Sequence, residues 1–131
     1  MAGVLLDTTA LLCHWFDEPG ASRVDDILAT ELVFIAAVSE YEFVVVATHR
    51  GIERSVAEAA FGCYSALSGD TVPITQSTVR RALALRAAAK GRIPTVDCLI
   101  AGVAAERGLR LVHRDEHLLA TPVEFCVQEK L

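Results

Sequence analysis

Hydrophobic residues in this chain come in short unbroken runs, set between longer stretches in which apolar and polar positions mix. "GVLL" (3–6), "LVFIAA" (32–37) and "RLVH" (110–113) have the length and β-branched or aliphatic character of strands buried on both faces. "TVPI" (71–74) reads as a short strand or extended connection, and "VEFCV" (123–127) as the last strand. Helical patterns fill the intervals. One opens at Thr8 and Thr9 and runs to about Phe16, where "DEPG" breaks it; a second covers 21–30. Ser39 to Arg50 is closed by Gly51, and another helix covers 54–68. Thr75 to Lys90 is a basic helix with Gly91 at its end, and Thr95 caps "VDCLIAGVAAER", which Gly108 terminates. Short apolar strands alternating with helices predict an α/β fold, a three-layer α/β/α sandwich around a short central parallel sheet. No repeat, low-complexity segment or linker interrupts the order, so residues 1–131 read as a single domain.

Composition sharpens this picture. At 53% hydrophobic the chain has ample material for a dense core, with apolar side chains left over for a partner surface such as a second copy. The helices at 21–30 and 43–68 are where a partner is expected, although a core role explains them equally well. No apolar run approaches the roughly 18 residues of a membrane span, and "MAGVLLD" lacks the basic start of a signal peptide. A cytoplasmic protein with no membrane contact is expected. Cys13, Cys63, Cys98 and Cys126 are widely spaced and show no zinc pattern, which predicts buried free thiols in a reducing compartment.

The net charge of −5 argues against nucleic-acid binding driven by overall charge. Its distribution is uneven. Residues 71–96 contain no acid but carry Arg80, Arg81, Arg86, Lys90 and Arg92, so this segment is +5 and the remainder −10. These five cations are either a solvated helix face or a rim that holds a polyanion, to which Arg114 adds a sixth.

Four carboxylates occupy positions of chemical interest. Asp7 ends the first strand, Glu42 lies in the first turn of the helix after the second, Asp97 lies in the first turn of a later helix, and Asp115 follows "RLVH". In open parallel sheets functional groups gather beyond the carboxyl ends of the strands, which would bring all four to one edge. There they would raise one another's pKa unless cations neutralised them. Each also has a structural explanation: Asp7 and Asp115 as helix caps, Ser39 with Glu42 as a capping box, and Asp97 as a partner of the helix dipole. The residues alone leave both readings open, and they leave Glu40 as a competitor of Glu42.

"VLLDTTALL", "IAAVSEYEF" and "TVDCLIAGVAAERGLRLVHRDEHL" together resemble the PIN-domain family, and within it the small toxins of the VapC type. The resemblance runs from about residue 4 to residue 125. No single word is highly specific; the ordered set in a chain of this length is. It implies that Asp7, Glu42, Asp97 and Asp115 form a catalytic, metal-binding acidic quartet with Thr9 as a supporting hydroxyl. The implied activity is a Mg²⁺- or Mn²⁺-dependent endoribonuclease, often a toxin held inactive by a cognate antitoxin and commonly a homodimer. The chain departs from the pattern where His113 replaces a frequent Thr and where His117 replaces a frequent second Asp or Asn, which puts a second metal in doubt.

In that reading the ion polarises an RNA phosphodiester and a water attacks in line. Asp7, Asp97 and Asp115 hold the metal, while Glu42 binds it or orients the water. The contrasting reading is a PIN-like binding module that no longer cleaves and acts through RNA or protein partners. A haloacid-dehalogenase-like phosphatase would want a second Asp where Thr9 stands. A receiver domain would need an acidic pair near the N-terminus and a late Lys after a strand, and neither is visible.

Overall fold

The computed structural model describes residues 3–131. Five strands form one parallel sheet: β1 (Val4–Leu6), β2 (Val33–Ala36), β3 (Thr71–Val72), β4 (Arg110–His113) and β5 (Gln128–Lys130). Their order across the sheet is β3-β2-β1-β4-β5. The chain therefore starts at the centre, moves out through β2 to β3, and returns to the other flank for β4 and β5. The reversal between β1 and β4 is where open α/β sheets form a crevice at the carboxyl ends of their strands.

Strand periodicity divides the interior into two cores. Val4, Leu6, Val33, Ile35 and Val112 point to one face, and Leu5, Ala36 and Leu111 to the other. The first face is covered by α1 (Thr8–Trp15), α2 (Ala21–Thr30), α3 (Val38–His49) and α4 (Arg54–Leu67). Phe43 of α3 is fully buried there, stacked on Trp15 and edge-on to Phe61 and Tyr64. The second face is covered by α5 (Gln76–Ala88) and α6 (Thr95–Arg107). These two helices approach closely at Gly102, where an added Cβ would lie 3.0 Å from Ala82 Cβ. Thr78 near the start of α5 donates to Glu106 near the end of α6, so the helices run antiparallel. The three-layer α/β/α architecture is thus the one the hydrophobic pattern predicts.

The boundaries correct several expectations. The last strand is Gln128–Lys130, not 123–127. β5 is an edge strand held by polar side chains: Gln128 accepts from His113, Glu129 pairs with Arg23, and Lys130 with Glu116. "VEFCV" instead passes over the α5–α6 face, with Cys126 buried and Phe125 packed against that core. α3 begins at Val38, one residue before the expected start, so Ser39 lies inside the helix and forms no capping box; its Oγ is buried without a hydrogen bond. α5 ends at Ala88, before Gly91, while Thr75 and Thr78 form its capping box. Thr95 is the first residue of α6 rather than its cap, and Pro94 holds the cap position. Gly108 does terminate α6, at φ 65°, a conformation glycine adopts without strain. Of the four cysteines Cys63 is exposed, contrary to expectation, because it lies on the outer face of α4. No described helix is long and apolar enough to cross a membrane.

Candidate active site

The site is assembled by the ends of β1 and β4 and the starts of α1, α3 and α6. Asp7 leaves the sheet at the end of β1 and is 1% exposed. It caps α1: its Oδ1 accepts from the Ala10 N–H at 2.9 Å and from the Thr9 hydroxyl at 2.7 Å. The Thr9 hydroxyl oxygen in turn accepts from the Arg114 N–H at 2.8 Å. Thr9 thereby ties the end of β1 to the loop after β4 that carries Asp115. Asp115 caps the 3₁₀ turn Glu116–Ala120, accepting from the His117 N–H at 2.9 Å. The helix-cap reading of Asp7 and Asp115 is therefore correct, and it does not compete with a site. Each carboxylate uses one oxygen for its cap while remaining beside the others.

Electrostatics reports that proximity. Burial pushes the Asp7 carboxyl from its ordinary 3.8 up to about 7, against the hydrogen bonds from Thr9 and Ala10, with Asp97 and Asp115 adding repulsion. Asp97, in the first turn of α6, is also raised, by burial first, then by the charge of Asp115 and a hydrogen bond with it, and by Glu42. At Asp115 burial is outweighed by hydrogen bonds from the His117 backbone, Asp97 and the His117 ring, so it titrates below its ordinary value. Asp97 and Asp115 thus titrate as a pair, with Asp97 pushed up and Asp115 held down. Glu42 is fixed by the Thr8 hydroxyl, which donates to Oε1 at 2.6 Å. Glu40 is exposed on another side of α3, lining a cavity of about 500 Å³ between α3 and α4, away from these acids. The structure therefore groups Asp7, Asp97 and Asp115 with Glu42 rather than Glu40.

The donors are all carboxylate and hydroxyl oxygens, the set preferred by a hard divalent ion such as Mg²⁺ or Mn²⁺. Among the described residues no three His, Cys, Asp or Glu side chains stand as a ready-made cage. The fit is one of donor chemistry and of unneutralised negative charge.

The two histidines have different surroundings. His113 is fully buried in β4. Its Nδ1 accepts from the Asp115 N–H at 3.1 Å and its Nε2 donates to Gln128 at 2.8 Å, a pattern that requires the neutral ring. Burial lowers its pKa accordingly. His117 is exposed and lies 3.1 Å from Asp115.

The basic segment does not form one surface. Arg80 and Arg81 sit beside Glu106 at the carboxyl end of α6, about 13 Å along the helix from Asp97 at 1.5 Å per residue. Arg86 is tied to the Ile93 carbonyl at 2.5 Å. Lys90 and Arg92 are exposed in the connection that leads to α6, nearer the carboxylates. Arg114 pairs with Glu18 at 3.1 Å. The sequence reading missed Thr8, Glu18 and Arg50. Thr8 carried the signal of adjacency to Asp7. Arg50, 3.5 Å from the other oxygen of Glu18, had no local signal at all.

This arrangement, an acidic cluster at the switch point of a five-stranded parallel sheet, has a family. A model described as the PIN domain matches residues 4–124, and the chain belongs to that family. Its fold is shared with a chain of the toxin–antitoxin complex from Klebsiella pneumoniae (22% identity, TM-score 0.70), covering 98% of this chain and 99% of the other. It is similar also to a chain of VapBC2 from Rickettsia felis bound to a DNA fragment from its promoter (12% identity, TM-score 0.77, 98% of both chains). A third likeness is to DNA-bound VapBC from Salmonella typhimurium (17% identity, TM-score 0.75, 99% of this chain and 98% of that one). No curated protein matches the sequence.

Proposed function

We propose that this PIN-domain chain is a Mg²⁺- or Mn²⁺-dependent endoribonuclease, the VapC-type toxin of a toxin–antitoxin pair, folded as one domain over residues 1–131. The observation that carries the reading is the convergence of Asp7, Asp97 and Asp115, with enough mutual repulsion and burial to hold protons near neutral pH. A cluster kept for fold stability alone would be expected to pair its acids with Arg or Lys, as Glu31 and Glu129 are paired with Arg23 and Arg110 in this chain. The partners in this reading are an RNA substrate, a cognate antitoxin and a second copy of the chain. The toxin–antitoxin complexes that share the fold support the antitoxin. Four unpaired cysteines fit a cytoplasmic setting.

Asp7, Asp97 and Asp115 would hold the ion, with Glu42 beside them. Once bound, the ion supplies Lewis-acid activation of the scissile phosphate and of the attacking water. Thr9 keeps the Asp7 carboxylate in one rotamer and joins it to the Asp115 loop. Thr8 occupies Glu42 Oε1, leaving Oε2 to take the proton of the attacking water. Holding an ion would require Asp97 to be ionised, so metal affinity would rise with pH through the neutral range. His113 fixes the backbone from which Asp115 projects.

Cleavage of a mixed RNA pool by wild type and Asp97→Asn, with Mg²⁺, Mn²⁺ or EDTA, tests the proposal. Cutting that needs metal and is lost in the variant is expected. RNA binding without cutting by the wild type would assign the chain to the non-cleaving binding modules instead.

A further inference from the structure

The nuclease reading leaves an electrostatic problem, because four carboxylates must receive a polyanion in a chain of net charge −5. Arg80 and Arg81 are too far along α6 to solve it. The structure holds two guanidinium groups elsewhere, on the flank of α1. Arg114, from the loop after β4, and Arg50, at the end of α3, grip opposite oxygens of Glu18 at 3.1 and 3.5 Å. Arg50 is also laid over the Phe16 ring, 4.4 Å from its centroid. With Thr9 and Leu12 these three residues line an open cavity of about 230 Å³. The cavity has one surplus positive charge. Its Thr9 wall is hydrogen-bonded to Asp7, so it opens one side chain from the acidic cluster.

We propose that Arg50 and Arg114 form a subsite for a backbone phosphate of the RNA, adjacent to the one cleaved, with Glu18 occupying the guanidinium groups until RNA displaces it. The inference rests on the ribonuclease reading for the identity of the polyanion. Guanidinium forks match phosphate geometry and bind it more strongly than neutral donors do. The Arg50 guanidinium is pre-positioned by the ring beneath it, and the loop that carries Arg114 is anchored where its backbone N–H donates to the Thr9 hydroxyl. The cavity is open and presents two guanidinium groups and a hydroxyl, donors suited to a phosphodiester. The subsite therefore supplies affinity and register but no base preference.

The test measures binding of a short fluorescein-labelled single-stranded RNA of randomised sequence by anisotropy, in EDTA to prevent cleavage, across a salt series. Arg50→Gln with Arg114→Gln should weaken binding roughly tenfold and lower the slope of log Kd against log salt by about 0.7, the value for one phosphate on a single strand. Glu18→Gln, which removes the competing carboxylate, should tighten binding. Arg54→Gln, which removes one guanidinium on α4 away from the cavity, should do neither. In Mn²⁺ the double variant should raise KM and leave kcat within about twofold. An unchanged salt slope in the double variant, or unchanged affinity in Glu18→Gln, would overturn the proposal and leave Glu18 as a tie between α1 and α3. Displacement of the RNA by a poly-glutamate peptide from the wild type but not from the double variant, with no change in salt slope, would assign the cavity to a protein carboxylate and also overturn it. Because the binding arm needs no turnover, a wild type that binds RNA without cutting it removes the nuclease reading and leaves the subsite standing.

Discussion

Asp7→Asn is predicted to stabilise the protein while disabling its site. Asn keeps the shape of Asp and an oxygen that can accept from Thr9 and Ala10, so the α1 cap survives. It loses only the ability to carry charge at a position 1% exposed. The folded-state pKa of Asp7 is raised from 3.8 to about 7, so between those values the folded chain keeps a proton that the unfolded chain has lost. Stability from this group is therefore full below about pH 4, falls as pH rises through the window, and is level again above about pH 7. The gap corresponds to about 4 kcal/mol at 1.36 kcal/mol per pH unit. Asp97 slopes in the same direction, more weakly because it is only partly buried. In EDTA, urea unfolding of wild type and Asp7→Asn should coincide within about 1 kcal/mol at pH 4.5, and the variant should be more stable by a few kcal/mol at pH 8. Manganese should narrow that difference at pH 8. A wild type saturated to about 100 Kd gains about 2.7 kcal/mol by linkage, and the variant should gain little. If Asp7→Asn is no more stable than wild type at pH 8 without metal, Asp7 is not the buried, strained charge that its surroundings imply.

Three smaller predictions accompany it. Thr8→Val, which frees Glu42, should lower cleavage about tenfold and reduce the Mn²⁺-induced rise in Tm, while leaving Tm in EDTA within a few degrees. Ser39→Ala should be neutral or stabilising by up to about 1 kcal/mol in urea unfolding, because its Oγ is buried without a partner. Under native conditions a thiol reagent such as dithionitrobenzoate should modify Cys63 rapidly, and Cys13, Cys98 and Cys126 only on unfolding; peptide mapping of the product checks this.

The parts of this molecule that were legible in its sequence are those in which local composition and burial coincide. β1, β2 and β4 are buried on both faces and read as apolar runs, and Asp7 and Asp115 stand out because each interrupts such a run where a strand ends. β5 was missed because an edge strand needs no apolar side chains when ion pairs and an amide hold it. Ser39 and Glu42 have capping-box spacing, but α3 starts one residue too early for it, and that offset leaves Glu42 free to meet Thr8. The basic segment allows a solvated face or a rim because adjacency in sequence does not decide adjacency on a surface. α5 runs antiparallel to α6, so Arg80 and Arg81 are carried to the far edge of the sheet. The meeting of Arg50 with Arg114 joins residues far apart in the chain, and no window of sequence contains it.

The two borders of the sheet also govern how such molecules can crowd together. β3 is two residues long, too short to template a neighbouring backbone. β5 carries Glu129 and Lys130, already engaged with Arg23 and Glu116, so an incoming strand would have to break ion pairs to dock. Fibril-like growth by strand addition is thereby discouraged at both ends. A chain that is 53% hydrophobic thus leaves neither border of its sheet open to a second backbone.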